Sequence, residues 1–300
     1  MKNKVNDKPT ILIVDGNNLL YRCYYKFQGM VSKSGTPSSM VFGYPNVLKS
    51  MLNRFNPQKV FNVFDGGRDK NRLAILPTYK EREPKLGFDI DSFRDQKNVV
   101  MELCYNLSMH VVQERYKEAD DLIYMLVRKL KKKYNLIIIS SDKDFNQLVE
   151  PGVSCFNPHK GLEITNKNML HRFGYLPGEC VDYLILDGDS SDKIPGYKGM
   201  GEKTIRKFLD EHSSIKLYLS SKLQFKKINN ALLEEIYKRN RYLIDLAYFF
   251  RKFHRKFNIP LPYGDSPGFN NPFIYKVADK YDINTFLKPD FQKPFKNLKI

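Results

Sequence analysis

Four short runs of β-branched and aliphatic residues, at 10–14, 60–64, roughly 109–113 and 136–140, are apolar at consecutive positions rather than at alternate ones. A strand that is apolar on both faces has to be covered on both, which is the situation of a parallel sheet sandwiched between helices. Segments with helical spacing lie between the runs, the clearest from about 117 to 133 with Leu122, Met125, Leu126 and Leu130 apolar. Strand and helix in alternation predict an α/β domain with a parallel sheet and right-handed crossovers.

Open parallel sheets gather ligands beyond the carboxyl ends of their strands, so acidic residues there are candidates for chemistry. Asp15 ends the first run and Asp65 the second; Glu118, Asp120 and Asp121 follow the third, at the start of the long helix; Asp142 and Asp144 follow the fourth. Further on, Asp187, Asp189 and Asp192 sit in Leu-Asp-Gly-Asp-Ser-Ser-Asp. Taken singly, each has an ordinary account: a helix start that favours acids, a turn or a cap. Taken together, carboxylates crowded at one sheet edge would repel and raise each other's pKa values unless cations neutralised them. Oxygen ligands with no nearby His or Cys suit two Mg²⁺ or Mn²⁺ ions and match zinc poorly. Two such ions about 3.5–4 Å apart can activate a water and stabilise the leaving oxygen of a phosphodiester.

Charge points the same way. Lys and Arg number 50 against 33 Asp and Glu, a net +17, so the surface attracts polyanions, with nucleic acid foremost. No apolar run approaches the roughly 20 residues that span a bilayer, and residues 1–10 lack a secretory apolar core; a cytosolic protein without membrane contact is expected. The four cysteines are scattered and read as reduced thiols. The stretch from about 68 to 98 is basic, broken by Pro77, Pro84 and Gly87, and poor in core residues. After about 177 short helices replace strands, and residues 195–258 carry fifteen Lys and Arg against six Asp and Glu. There Gly199 and Gly201 precede a helix whose backbone N–H groups would face a phosphate, with Lys198, Lys203, Arg206 and Lys207 adding charge. In the Phe- and Lys-rich segment 259–300, Gln292, Phe295 and Leu298 have the spacing of a sliding-clamp peptide; a Phe/Leu stripe docking on the protein's own core is the account adopted.

Six motifs in order carry a family resemblance: Val-Asp15-Gly-Asn-Asn-Leu, Phe-Asp65-Gly, Tyr79-Lys80, Glu118-Ala-Asp120-Asp121, Ser-Ser-Asp142-Lys-Asp144-Phe, and Gly188-Asp189-Ser-Ser-Asp192-Lys-Ile-Pro-Gly followed by Gly199-Met-Gly201-Glu-Lys-Thr. From residue 11 to about 208 the chain resembles the flap endonucleases, specifically the 5′-nuclease domain of bacterial DNA polymerase I and the stand-alone 5′-nucleases of bacteriophages. The resemblance implies a PIN-like α/β nuclease core over 1–177 with a helical arch at about 68–98. It further implies a helix–three-turn–helix and basic helical region over 178–258, and a tail, 259–300, packed on the core.

It also implies Mg²⁺-dependent cleavage of branched DNA with a 5′ single-stranded arm, 5′→3′ exonuclease action, and removal of RNA primers from RNA–DNA duplexes. Asp15, Asp65, Glu118 and Asp120 would hold one metal, with Asp121 close by; Asp142, Asp144, Asp189 and Asp192 would hold the other. Lys80 and Arg22 would reach phosphates and Tyr79 would stack on a base. Arg72, Arg82, Lys193, Lys198, Gly199, Gly201, Lys203, Thr204, Arg206 and Lys207 would contact DNA, and main-chain carbonyls of the Gly-x-Gly turn would hold a K⁺ ion. A monomer in the cytosol, the host's for a phage protein, is implied, with a single-strand-binding protein or sliding clamp as further partners. Two departures stand out: Glu83 replaces the arginine usual three residues after the arch lysine, and Lys193 replaces an asparagine, which suggests water-mediated ligation at Asp192. The rival readings are a PIN-like ribonuclease and an inactive structure-specific DNA-binding protein.

Overall fold

The computed structural model describes residues 8–81, 87–221, 223, 225, 228–257, 259 and 268–299. Strands β1 (Thr10–Asp15), β2 (Lys59–Phe64), β3 (His110–Gln113), β4 (Asn135–Ile139), β5 (Val153–Asn157) and β6 (Leu162–Ile164) form one sheet in the order β3-β2-β1-β4-β5-β6. The first five run parallel and β6 closes the edge antiparallel. In β1 the side chains of Ile11 and Ile13 face one apolar layer and those of Leu12 and Val14 the other, and all four are fully buried. Burying each such side chain stabilises the fold by about 1.5–3 kcal/mol.

Helices α1 (Gly16–Lys26) and α2 (Ser39–Phe55) connect β1 to β2, α3 (Lys70–Ile75) and α4 (Ile90–Asn106) connect β2 to β3, and α5 (Ala119–Leu130) connects β3 to β4. Beyond the sheet follow α6 (Met169–Phe173), α7 (Cys180–Asp187), α8 (Glu202–His212), α9 (Ile215–Ser220), α10 (Asn230–Ile244), α11 (Leu246–Phe249), α12 (Asn271–Lys280) and α13 (Pro289–Lys296). One face of the sheet packs on α5 together with α7 to α10, through Leu126, Ile185, Ile205, Phe208 and Leu233. The other packs on α1, α2 and α4 and receives the C-terminal helices through Ile274, Phe286, Phe291, Phe295 and Leu298.

The expected strands lie within a residue or so of those observed. β5 and β6 were not expected: Ser154, Asn157 and Glu163 interrupt their apolar pattern, which a sheet edge tolerates. In the tail, Phe295 and Leu298 are buried and Gln292 donates to the Phe286 carbonyl at 3.1 Å, so the sliding-clamp reading of that spacing is set aside. Of the basic stretch, 82–86, including Arg82 and Glu83, lies outside the described residues; its flanks form α3 and α4. All four cysteines are buried and unpaired, and no described helix is long and apolar enough to cross a membrane.

Candidate metal centre and nucleic-acid interface

Because the chain passes from β1 to β2 and β3 on one side and to β4 and β5 on the other, β1 marks the point where strand order reverses, where open α/β sheets bind ligands. Asp15, the last residue of β1, caps α1: one carboxylate oxygen accepts from the Asn18 N–H at 3.1 Å and the other from the Ser140 hydroxyl at 2.8 Å. Asp65 follows β2 and accepts the Ala119 N–H at 2.7 Å, tying it to the first turn of α5. The two loops touch at Gly66, where a Cβ would lie 1.8 Å from the Glu114 carbonyl oxygen, so no other residue fits. Asp142 follows β4, accepts the Asp144 N–H at 2.9 Å and donates its own N–H to Ser140 Oγ at 3.0 Å. Asp189 and Asp192 sit in a turn between β7 (Gly188–Asp189) and β8 (Ile194–Pro195), where Asp189 accepts the Asp192 N–H at 3.1 Å.

The electrostatics separate two kinds of carboxylate. Burial, then the charges of Asp120 and Asp65, push Asp15 well above the usual range. Burial raises Asp65 too, against the pull of Lys80. Asp142 rises to about 6 through burial and Asp120, and Asp144 is likewise pushed well above the usual range by burial, Asp142 and Asp120. These groups are held in a state that a cation would relieve. Lys80 supplies a cation among them: its Nζ lies 2.8 Å from Glu118, 3.1 Å from Asp120 and 3.8 Å from Asp192. Those carboxylates outweigh burial and keep its ammonium charged. Glu118, though buried, falls below the usual range under Arg72 and Lys80.

Four expected roles are corrected by this geometry. Arg72, expected on DNA, is 1% exposed, and its guanidinium donates to both Asp121 oxygens at 2.6 and 2.8 Å. Asp121, expected beside a metal, is therefore engaged by Arg72, which overcomes burial and holds it far below the usual range. Tyr79, expected to stack on a base, is 2% exposed; its hydroxyl donates to Glu118 Oε2 at 2.9 Å. Arg206 is bound to Glu179, Asp210 and the Gly174 carbonyl rather than free for a phosphate.

Among the described residues, the one trio whose ligand-type atoms all fall within 4.8 Å is Asp69, Asp121 and His254, none of which except Asp121 was singled out in the sequence. It is an ion-pair network rather than a metal site: Arg72 and Lys117 already serve its carboxylates, and against the effect of burial Asp121 and Asp69 push His254 up to about 9. The outer carboxylates, with Lys80 among them, are not drawn that tightly.

Four further features frame the site. Ser140 links Asp15 to Asp142; it opens the Ser-Ser-Asp142 motif, but its bond to Asp15, 125 residues away, has no local signal. Tyr21, next to Arg22 on α1, is 36% exposed and stacks on Phe93 at 4.6 Å; its place one residue before a candidate arginine could have marked it. Arg22 is half-buried with one terminal nitrogen lacking a partner, and burial lowers its pKa. Finally, Lys193, Lys198, Gly199, Gly201, Lys203 and Lys207 are exposed and Thr204 half-buried around the start of α8, whose first turn has no side-chain cap.

Residues 10–174 match the family model described as the 5′-3′ exonuclease, N-terminal resolvase-like domain. The chain is 30% identical over 219 residues to a 5′-3′ exonuclease of Aquifex aeolicus, covering 73% of this chain and 75% of that one. It is 30% identical over 250 residues to DNA polymerase I of Mycobacterium tuberculosis, covering 80% of this chain and 27% of the polymerase, so it spans about a quarter of such relatives. A structure of T5 5′-exonuclease with zinc ions superposes with a TM-score of 0.69 at 21% identity over 96% of this chain and 97% of the other. Flap endonuclease-1 from Methanococcus jannaschii gives 0.56 at 15% over 97% and 92%. At those identities the structures speak for the fold.

Proposed function

Since this chain belongs to the 5′-3′ exonuclease family, we propose that it is a divalent-metal-dependent, structure-specific 5′-nuclease that hydrolyses phosphodiesters in branched DNA with a 5′ single-stranded arm and in RNA–DNA primer duplexes. The observation that carries this reading is the set of carboxylates held above their usual range, buried Asp15 and half-buried Asp65, Asp142 and Asp144, beside Glu118, Asp120 and Asp192 at the switch point of a parallel sheet. The donors are all oxygen, which fits Mg²⁺ or Mn²⁺. Asp15, Asp65, Glu118 and Asp120 would hold one ion, and Asp142, Asp144, Asp189 and Asp192 the second. When bound, such ions supply a water nucleophile at neutral pH and charge on the phosphate oxygens.

The chain's own residues do the rest. Lys80 and Arg22 bring positive charge to the scissile phosphate in a partly desolvated site. Ser140 fixes the orientations of Asp15 and Asp142. Tyr21 offers an exposed ring on which a base stacks, a role the buried Tyr79 cannot take. The uncapped start of α8, with Lys198, Lys203 and Lys207, grips the duplex backbone, with a K⁺ ion on the carbonyls of the 199–201 turn. The protein works as a monomer in the cytosol.

The double substitution Asp142→Asn with Asp144→Asn tests the assignment. The variant should still bind a flap substrate and lose cleavage in Mg²⁺; unchanged cleavage would reject it.

A further inference from the structure

Glu118 is gripped from a single segment of chain. Its Oε1 accepts the Asp69 N–H at 3.1 Å and lies 3.7 Å from Arg72; its Oε2 accepts from the Tyr79 hydroxyl at 2.9 Å and the Lys80 ammonium at 2.8 Å. Residues 69–80 thus set both oxygens of a proposed metal ligand, and what fixes 69–80 fixes the ligand. Two side chains from the far end of the helical region do so. Phe249 lies under the Arg72 guanidinium at 3.8 Å from the ring centroid, a close cation–π contact in a site without water access. His254, in the π-helical turn Phe250–His254, is 1% exposed. Its Nε2 is 3.2 Å from Asp69 and 3.8 Å from Asp121, and its Nδ1 is 3.0 Å from Lys117, the residue before Glu118. Its ring also packs edge-on against Phe249, centroids 5.1 Å apart.

We infer that His254 and Phe249 are positioning residues: reaching across from the C-terminal helical region, they lock Asp69, Arg72 and Lys117 and so fix Glu118 and Lys80 in the geometry that binds metal. This rests on the nuclease reading for what the geometry serves, while the locking itself does not. Neither residue touches the carboxylates proposed as ligands, other than through Arg72, Asp69 and Lys117. Partners of ligands at this remove commonly change metal affinity or activity 10–100-fold.

The test compares the full chain with His254→Leu, and with the milder His254→Gln and Phe249→Leu in case the first fails to fold. Amide exchange by mass spectrometry should rise about tenfold in peptides covering 69–76 and 117–122 in His254→Leu, and mostly recover in His254→Gln, which can still donate to Asp69. Mn²⁺ binding to the DNA-free protein, followed by calorimetry, should weaken at least about tenfold, and kcat on a flap should fall with KM held within about twofold. Exchange that is unchanged, or that rises uniformly over the whole chain while Mn²⁺ affinity stays at the wild-type value, overturns the inference. A wild-type chain that neither binds Mn²⁺ nor cuts a flap overturns the nuclease reading instead, and the exchange pattern alone then decides the locking.

Discussion

Lys80 and Asp192 are joined twice: the Lys80 N–H donates to the Asp192 carbonyl at 3.0 Å, and its ammonium lies 3.8 Å from the Asp192 carboxylate. The backbone bond holds when Lys80 takes a positive φ of 51°, so the side chain is aimed by main-chain geometry as well as by charge. The segment after α3 and the turn before α8 therefore meet at the carboxylates. Lys80→Met should cut single-turnover flap cleavage about 100-fold or more, the scale of removing one charge-stabilising donor. Flap binding should survive, and Mn²⁺ should bind the DNA-free variant more tightly because no ammonium competes for Glu118 and Asp120. A wild-type cleavage rate would refute the role.

Ser140→Ala removes the hydroxyl that donates to Asp15 and accepts from Asp142. The buried Asp15 oxygen and the Asp142 N–H are then left without partners, costing about 1–3 kcal/mol. Urea unfolding of the metal-free protein reads this directly, and a loss below about 0.5 kcal/mol would mean that water replaces the hydroxyl.

Asp142 titrates at about 6 in the folded chain against 3.8 for an ordinary aspartate, so the native state holds its proton more tightly than the unfolded one. Stability from this group is present below the unfolded value and is lost as pH rises through about 6 in the metal-free protein. A divalent ion that binds the ionised carboxylates reverses that loss. The melting-temperature gain on adding Mg²⁺ should be larger near pH 7.5 than near pH 5. The opposite order would exclude Asp142 from the metal site.

Tyr21→Ala should weaken flap binding by about 1–3 kcal/mol, the worth of one stacked base. Tyr79→Phe should leave binding alone and instead lower the cleavage rate, since the lost hydroxyl bonds to Glu118. Fluorescence anisotropy with a labelled flap separates the two, and equal binding losses in both variants would contradict the exchange of roles.

The candidate metal-binding edge was legible because Asp15, Asp65 and Asp142 directly follow, or nearly follow, apolar runs whose burial on both faces already demanded a covered parallel sheet. Where residues act through partners distant in the chain, the sequence was silent. Arg72 sits among other basic residues and reads like them; its burial is set by Asp121, 49 residues later, and by Phe249. His254 meets Lys117 across 137 residues, which no local pattern can announce. Tyr79 neighbours Lys80 in the chain, but the direction of its ring depends on Glu118. Arg206 likewise reads as an available cation, but Glu179 and Asp210 claim it.

The contact at Gly66 leaves no slack between the loop that carries Asp65 and the one that leads into Glu118: hydrogen bonds from Gly66 N–H to the Lys117 carbonyl and from Tyr116 N–H to the Gly66 carbonyl, 2.9 and 3.0 Å long, stitch them from both sides. The two acids must travel together or not at all. A strand entering the site proposed here would therefore meet Asp65 and Glu118 as one rigid unit.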